Sequence, residues 1–226
     1  MSDHSFPATA WAVTPASLRW LKPVLFTLCL VPWLKLLAET LGLAGMSLGA
    51  NPVEALIHRC GLWGLNFLLI TLSVTPLRVV TGQHWLARLR RMFGLFAFFY
   101  IVLHFLLYVG LDQRFALGVI IEDIAKRPFI TLGFTALLLL IPLALTSTAA
   151  MMRRLGRRWV QLHRLVYVIA ILGVWHFYWQ VKLDTLQPSV YSAMLAGLLG
   201  YRVWARWRRV RRAARRRPSS PDTRGG

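Results

Sequence analysis

Acidic side chains are the scarcest chemistry in this chain. Of 226 residues only 8 are Asp or Glu, against 27 Lys and Arg, a formal net charge of +19. Charged residues of both signs make up 15%, where a soluble domain carries about 25%, and 57% of the chain is hydrophobic. This excludes a disordered protein, a coiled coil and an ordinary cytosolic enzyme. Cysteine is nearly absent too. Cys29 and Cys60 lie in apolar runs and no CxxC or CxxCH occurs, so neither a zinc ribbon nor covalent c-type haem is expected. The stretch MSDHSFPATAWAVTPASLRW lacks the basic start and short apolar core of a cleaved signal peptide. No nucleophile–base pair or carboxylate dyad is visible, so no bond-making catalysis is expected on this chain. No internal repeat stands out, and the loops leave no room for a soluble domain.

What is present is a series of long apolar runs. A membrane crossing needs about 20 mostly apolar residues. Six segments qualify: 20–41, 55–75 (stopped by Pro76), 92–111, 129–147, 159–181 and 189–207. The expected fold is all-α, a polytopic six-transmembrane-helix bundle over residues 20–207. An N-terminal arm (1–19) precedes it and an arginine-rich tail (208–226) follows. Every second loop is basic. Residues 75–91 hold Arg78, Arg88, Arg90 and Arg91 without an acid, and 147–159 hold Arg153, Arg154, Arg157 and Arg158 without an acid. The intervening loops are acidic or balanced, so both termini are expected in the cytoplasm. The positive charge then suits anionic membrane lipids, and no nucleic-acid partner is expected.

Histidines carry the functional signal. His4 and His84 sit in polar stretches, where a solvated role is the default. His58, His104, His163 and His176 lie within or at the ends of apolar segments, where ionisable groups are costly and usually functional. Three deep histidines on two helices point to metal or haem ligation, since imidazole is a standard axial ligand of haem iron. The third and fifth segments run in the same direction. His104 lies about 18 Å along its helix, His176 about 25 Å and His163 about 6 Å. His104 and His176 therefore share a depth and are the economical pair around one haem. His163 and His176 fall about 140° apart on a straight helix, so that helix is either distorted or buried on several sides, and the aromatics around them favour central burial. Tyr167, Trp175, Phe177, Tyr178 and Trp179 either pack on a macrocycle or form an interfacial belt, the belt being favoured for Trp179. His58 suits a haem propionate, the outer exit or a helix cap, with Asn66 two turns deeper on its face. Lys35 and Glu39 read as an i, i+4 ion pair or as a quinone- or proton-linked couple.

The segments RRMFGLFAFFYIVLHFLLYV, WVQLHRLVYVIAILGVWHFYW and HRCGLWGLNFLLITLSVTPLR resemble the MsrQ family of haem-binding membrane subunits, part of the wider ferric-reductase-like transmembrane group. The resemblance covers about residues 18–207. It implies a b-type haem electron conduit in the bacterial inner membrane, fed by quinol and associated with FMN. Electrons then pass to a periplasmic molybdopterin reductase, MsrP, that repairs oxidised methionine. By motif, the family's haem histidines fall on His104, His163 and His176. One departure matters. Two-haem ferric reductases carry a second histidine on the third span, about four helical turns before the first. The corresponding positions here are Arg90 and Arg91. His163 then either ligates a second haem or orients an inner redox group, with Arg90 and Arg91 as anion partners or plain topology signals. The haem count is one or two. No FAD or NAD domain follows Trp207, which favours an electron source outside the chain. The alternatives are a ferric reductase fed by a separate flavoprotein, and a small permease or assembly factor. The 111–128 loop, with Asp112, Glu122 and Asp123, is the expected docking surface.

Overall fold

The computed structural model describes residues 15–181 and 185–215. Most of the expected arm (1–14), residues 182–184 and the tail beyond 215 lie outside the described residues. Nine α-helices succeed one another among the described residues: α1 (Pro15–Thr40), α2 (Pro52–Thr81), α3 (Arg90–Leu107), α4 (Leu117–Lys126), α5 (Pro128–Leu145), α6 (Ala149–Leu155), α7 (Arg157–Leu162), α8 (Leu165–Gln180) and α9 (Leu186–Arg215). A π turn, Tyr108–Asp112, extends α3. Among the described residues, five stretches are long and apolar enough to cross a membrane: Arg19–Thr40, Pro52–Thr81, His84–Asp112, Pro128–Leu145 and Arg157–Gln180. The chain is a multi-pass membrane protein of helices. The sixth expected segment, 189–207, lies inside α9. Its 30 residues suffice in length, but Arg202 and Arg206 leave it less apolar than the other five.

Local chemistry sets the helix ends. Asn51 caps α2, accepting from the Glu54 backbone N–H at 3.4 Å while its amide donates to the Glu54 carboxylate at 2.7 Å, and Pro52 occupies the first turn. Gly82 closes α2 at φ 69°, a left-handed conformation that glycine adopts freely. The expected stop at Pro76 does not occur, and α2 runs on to Thr81. Pro76 has no N–H to give the Leu72 carbonyl one turn back. The Arg202 guanidinium, from α9, donates to that carbonyl instead, and also to the Tyr167 hydroxyl at 3.0 Å. A second repair lies next to Pro32 in α1. The buried Tyr100 hydroxyl takes the Trp33 N–H at 3.0 Å and donates to the Cys29 carbonyl at 2.9 Å, inserting itself into the helix ladder.

Two antiparallel helix pairs form the body: α2 packs on α3, and α5 on α8. Their shared core includes Leu68, Leu72, Ala97, Tyr100, Ile169 and Ala170, each at most 2% exposed. The α9 helix lies against α8 and α2, tied by the Tyr191 hydroxyl donating to Asn66 at 2.7 Å. Trp175, Tyr178 and Trp179 are exposed on the outside of α8, whereas Phe177 is buried.

Candidate cofactor site

His104 on α3 and His176 on α8 face each other between the two helix pairs, with ring centroids 6.1 Å apart and planes crossed at 77°. Each ring is held the same way. The Nδ1 of His104 lies 2.8 Å from the Ile57 carbonyl on α2, and the Nδ1 of His176 lies 2.6 Å from the Phe129 carbonyl on α5. A carbonyl only accepts, so Nδ1 carries the proton in both rings. Each Nε2 is left as a lone-pair donor toward a metal.

Glycine makes room for both rings. A Cβ on Gly61 of α2 would stand 2.9 Å from His104 Nδ1, and one on Gly133 of α5 would stand 2.9 Å from His176 Nδ1. The accepting carbonyl precedes the glycine by one turn in each case. The carbonyl-to-histidine separation is 47 residues in both pairs. The site is thus one arrangement used twice: Ile57, Gly61 and His104 in one half, Phe129, Gly133 and His176 in the other, at identical spacing. Sequence reading found the histidines and missed Gly61 and Gly133. The equal spacing of Gly and His in the two halves was the available signal.

Both rings line a cavity of about 470 Å³, a volume in the range of roughly 300–1,000 Å³ typical of small-molecule sites. Its deep end is apolar, built from Leu65, Leu68, Leu137, Ile169 and Gly173. Its other end carries Asn51, Glu54, His58, Asp112, Arg127 and Gln180, all near the same ends of their helices. This is the mouth. Among the described residues no group of three or more His, Cys, Asp or Glu is placed to hold a bare metal ion. Two opposed imidazoles therefore suit a metal that already sits in an equatorial frame. With metal–nitrogen bonds of about 2 Å on each side, two imidazole centroids across one iron stand about 6 Å apart. The separation, the free Nε2 atoms and the apolar pocket with a polar rim all fit a haem whose carboxylates face the mouth.

The mouth is braced by Asp123 of α4. It pairs with Arg127 Nε at 3.1 Å and accepts from the Tyr108 hydroxyl at 3.0 Å. Asp123 is buried, so it differs from exposed Asp112 and Glu122 with which the sequence grouped it. His58 lines the cavity, its ring 5.9 Å from Phe177, whereas Asn66 turns to α9. His163 lies elsewhere, at the break between α7 and α8. Its Nδ1 is 3.1 Å from the Trp159 carbonyl, its Nε2 is 3.5 Å from Ser147 Oγ, and its ring stacks on Trp159 at 3.8 Å. Arg90 is its charged neighbour at this opposite end of the bundle. Glu39 bonds Arg59 of α2 as well as approaching Lys35 at 4.0 Å, an ion-pair group that ties α1 to α2.

Comparison with known proteins gives concordant findings. The family described as "ferric reductase like transmembrane component" matches residues 60–174. A protein of Ralstonia nicotianae named protein-methionine-sulfoxide reductase heme-binding subunit MsrQ is 51% identical over 203 residues, covering 88% of this chain and 92% of the relative. Proteins with the same name from Azospira oryzae and Xanthomonas campestris pv. campestris are each 54% identical, over 197 and 177 residues. They cover 86% and 78% of this chain, and 83% and 81% of the relatives. No solved structure matches the chain.

Proposed function

The chain belongs to the MsrQ family within the ferric-reductase-like transmembrane group, and on that premise we propose that it is the b-type haem electron-transfer subunit of a methionine-sulfoxide reductase system. Electrons come from quinol, with FMN as an intermediate carrier. They cross the bacterial inner membrane and leave to a periplasmic MsrP-like molybdopterin reductase. The observation that carries this reading is the pair of opposed imidazoles, 6.1 Å apart, each pinned through Nδ1 to a backbone carbonyl.

A haem bound there supplies a one-electron redox centre part of the way across about 30 Å of hydrocarbon. The chain's residues do the rest. His104 and His176 would hold the iron through their free Nε2 atoms, an all-imidazole donor set that would suit electron transfer. Leu65, Leu68 and Leu137 exclude water from the deep end, while His58 and Arg127 meet carboxylates at the mouth. At the opposite end His163, with Arg90 and Arg91, serves a second haem or an inner redox group.

The basic 75–91 and 147–159 loops support six crossings with both termini in the cytoplasm, α9 being the sixth. The mouth then faces the periplasm, beside exposed Asp112 and Glu122, which form the docking surface for the reductase partner.

The test is an optical spectrum of the detergent-purified protein, oxidised and dithionite-reduced, with haem quantified per chain. A sharp low-spin b-type spectrum at one or two haems per chain is expected, lost in His104→Ala and His176→Ala. A colourless protein, even after haem supplementation during expression, would overturn the reading in favour of a permease or assembly factor. A coloured protein that reduces ferric chelates but not the methionine-sulfoxide reductase partner would make it a ferric reductase. The inner site has its own check: unchanged haem content and quinol-driven reduction in His163→Ala would remove it.

A further inference from the structure

We propose that Gly61 and Gly133 are a matched pair of positioning residues that, with the Ile57 and Phe129 carbonyls, lock the two haem-facing imidazoles in nearly perpendicular planes and so set the electronic state of the iron between them. This rests on the reading that His104 and His176 hold one haem. The argument begins with space. At both glycines the position of a Cβ is filled by the imidazole itself, with Nδ1 at 2.9 Å and Cε1 at 3.1 Å for Gly61 and 3.0 Å for Gly133. Real Cβ atoms do not approach ring atoms that closely, so any side chain there displaces or rotates the ring. The ring atom pressed against each glycine is also the one that donates to the carbonyl one turn earlier. One short stretch of helix thus supplies both the wall and the acceptor. Together they leave a single ring orientation. Partners of this kind orient a metal-ligating histidine and adjust its basicity.

The duplication gives the consequence. Each half fixes its own ring against its own helix, and the two fixed planes cross at 77°. On a low-spin ferric iron, parallel imidazole planes separate the two d orbitals that share the unpaired electron and give an ordinary rhombic signal. Crossed planes leave those orbitals nearly degenerate and give a strongly anisotropic one. The hydrogen bond that each imidazole donates to its carbonyl is also a lever on the reduction potential.

The experiment uses the full-length detergent-purified protein and three variants: Gly61→Ala, Gly133→Ala and Gly64→Ala. The last is a packing control on the same helix. Its Cβ would stand 2.6 Å from Ile101 Cγ1, so it crowds α3 without touching an imidazole. Haem per chain, circular dichroism, midpoint potential and the low-temperature electron paramagnetic resonance spectrum are read for each. The expected wild-type signal is strongly anisotropic. Gly61→Ala and Gly133→Ala should each move it toward the rhombic type and shift the midpoint potential, while Gly64→Ala keeps both. Full haem with a wild-type signal and potential in both imidazole-facing variants would overturn the proposal. If those variants lose haem, retained helicity and a loaded Gly64→Ala support it. Lost helicity, or an equally empty Gly64→Ala, overturns it. The underlying reading fails separately, through a wild-type protein without haem or through His104→Ala and His176→Ala that stay fully loaded.

Discussion

A carbonyl in a hydrocarbon layer has no water to turn to when its helical donor is a proline. Leu72 is in that position because of Pro76, and the Arg202 guanidinium answers it. Replacing Arg202 by Met should therefore destabilise the protein by about 1–3 kcal/mol, the cost of one orphaned buried acceptor. Pro76→Ala restores the missing N–H, so Arg202→Met should cost less in that background. A thermal-unfolding double-mutant cycle in detergent measures the difference, and additive effects would refute the link. Tyr100→Phe should cost less, since the Trp33 N–H and the Cys29 carbonyl are four residues apart on α1 and can pair with each other once the hydroxyl is gone. None of this was legible beforehand. Arg202 reads as the first of the tail arginines, and Pro76 as a helix stop, because a proline's effect depends on which distant donor meets the freed carbonyl. The histidines were easier. Rise per residue alone put His104 and His176 at a common depth, and their rings do meet, although the glycines and carbonyls that orient them carry no periodic signal.

At the level of elements, α4 looks like a charged external loop in sequence and works as a brace. Its Asp123 holds Arg127 and Tyr108 over the mouth, whereas Glu122, one residue earlier, is exposed and paired with Lys126 at 2.5 Å. Asp123→Ala should cost about 1–3 kcal/mol in unfolding and disturb the haem spectrum. Glu122→Gln should change stability by no more than about 0.5 kcal/mol, and its effect should appear only in electron delivery to the partner. Equal thermal shifts would undo that division. The wide angular offset between His163 and His176 left a distorted or a centrally buried helix, and the aromatics favoured burial; the structure instead breaks the helix between α7 and α8 and leaves Trp175, Tyr178 and Trp179 exposed. The π turn at Tyr108–Asp112 had no sequence signature. It carries Tyr108 and Asp112 to the cavity wall, a common use of such turns at functional sites.

For the whole molecule, topology is the accessible test. Cys29 and Cys60 are both buried, so single cysteines can be read against a quiet background. One placed in the 147–159 loop should react with a membrane-impermeant maleimide only after the membrane is opened. One placed near Arg114 should react in intact spheroplasts, and the reverse pattern would invert the bundle. Apolar runs and alternating basic loops made the layout readable, because the bilayer imposes both. The facing hairpins were hidden because their likeness reduces to one glycine and one histidine each, set in otherwise different apolar sequence. That likeness has a mechanical consequence. The α2–α3 and α5–α8 hairpins run in the same sense, both beginning and ending at the mouth, so they act as two jaws of one vice. Sliding either jaw along the membrane normal, as a rocking carrier does, would pull one imidazole out of line with the other. An electron-transfer role fits two jaws that stay in place, with both imidazoles kept in line.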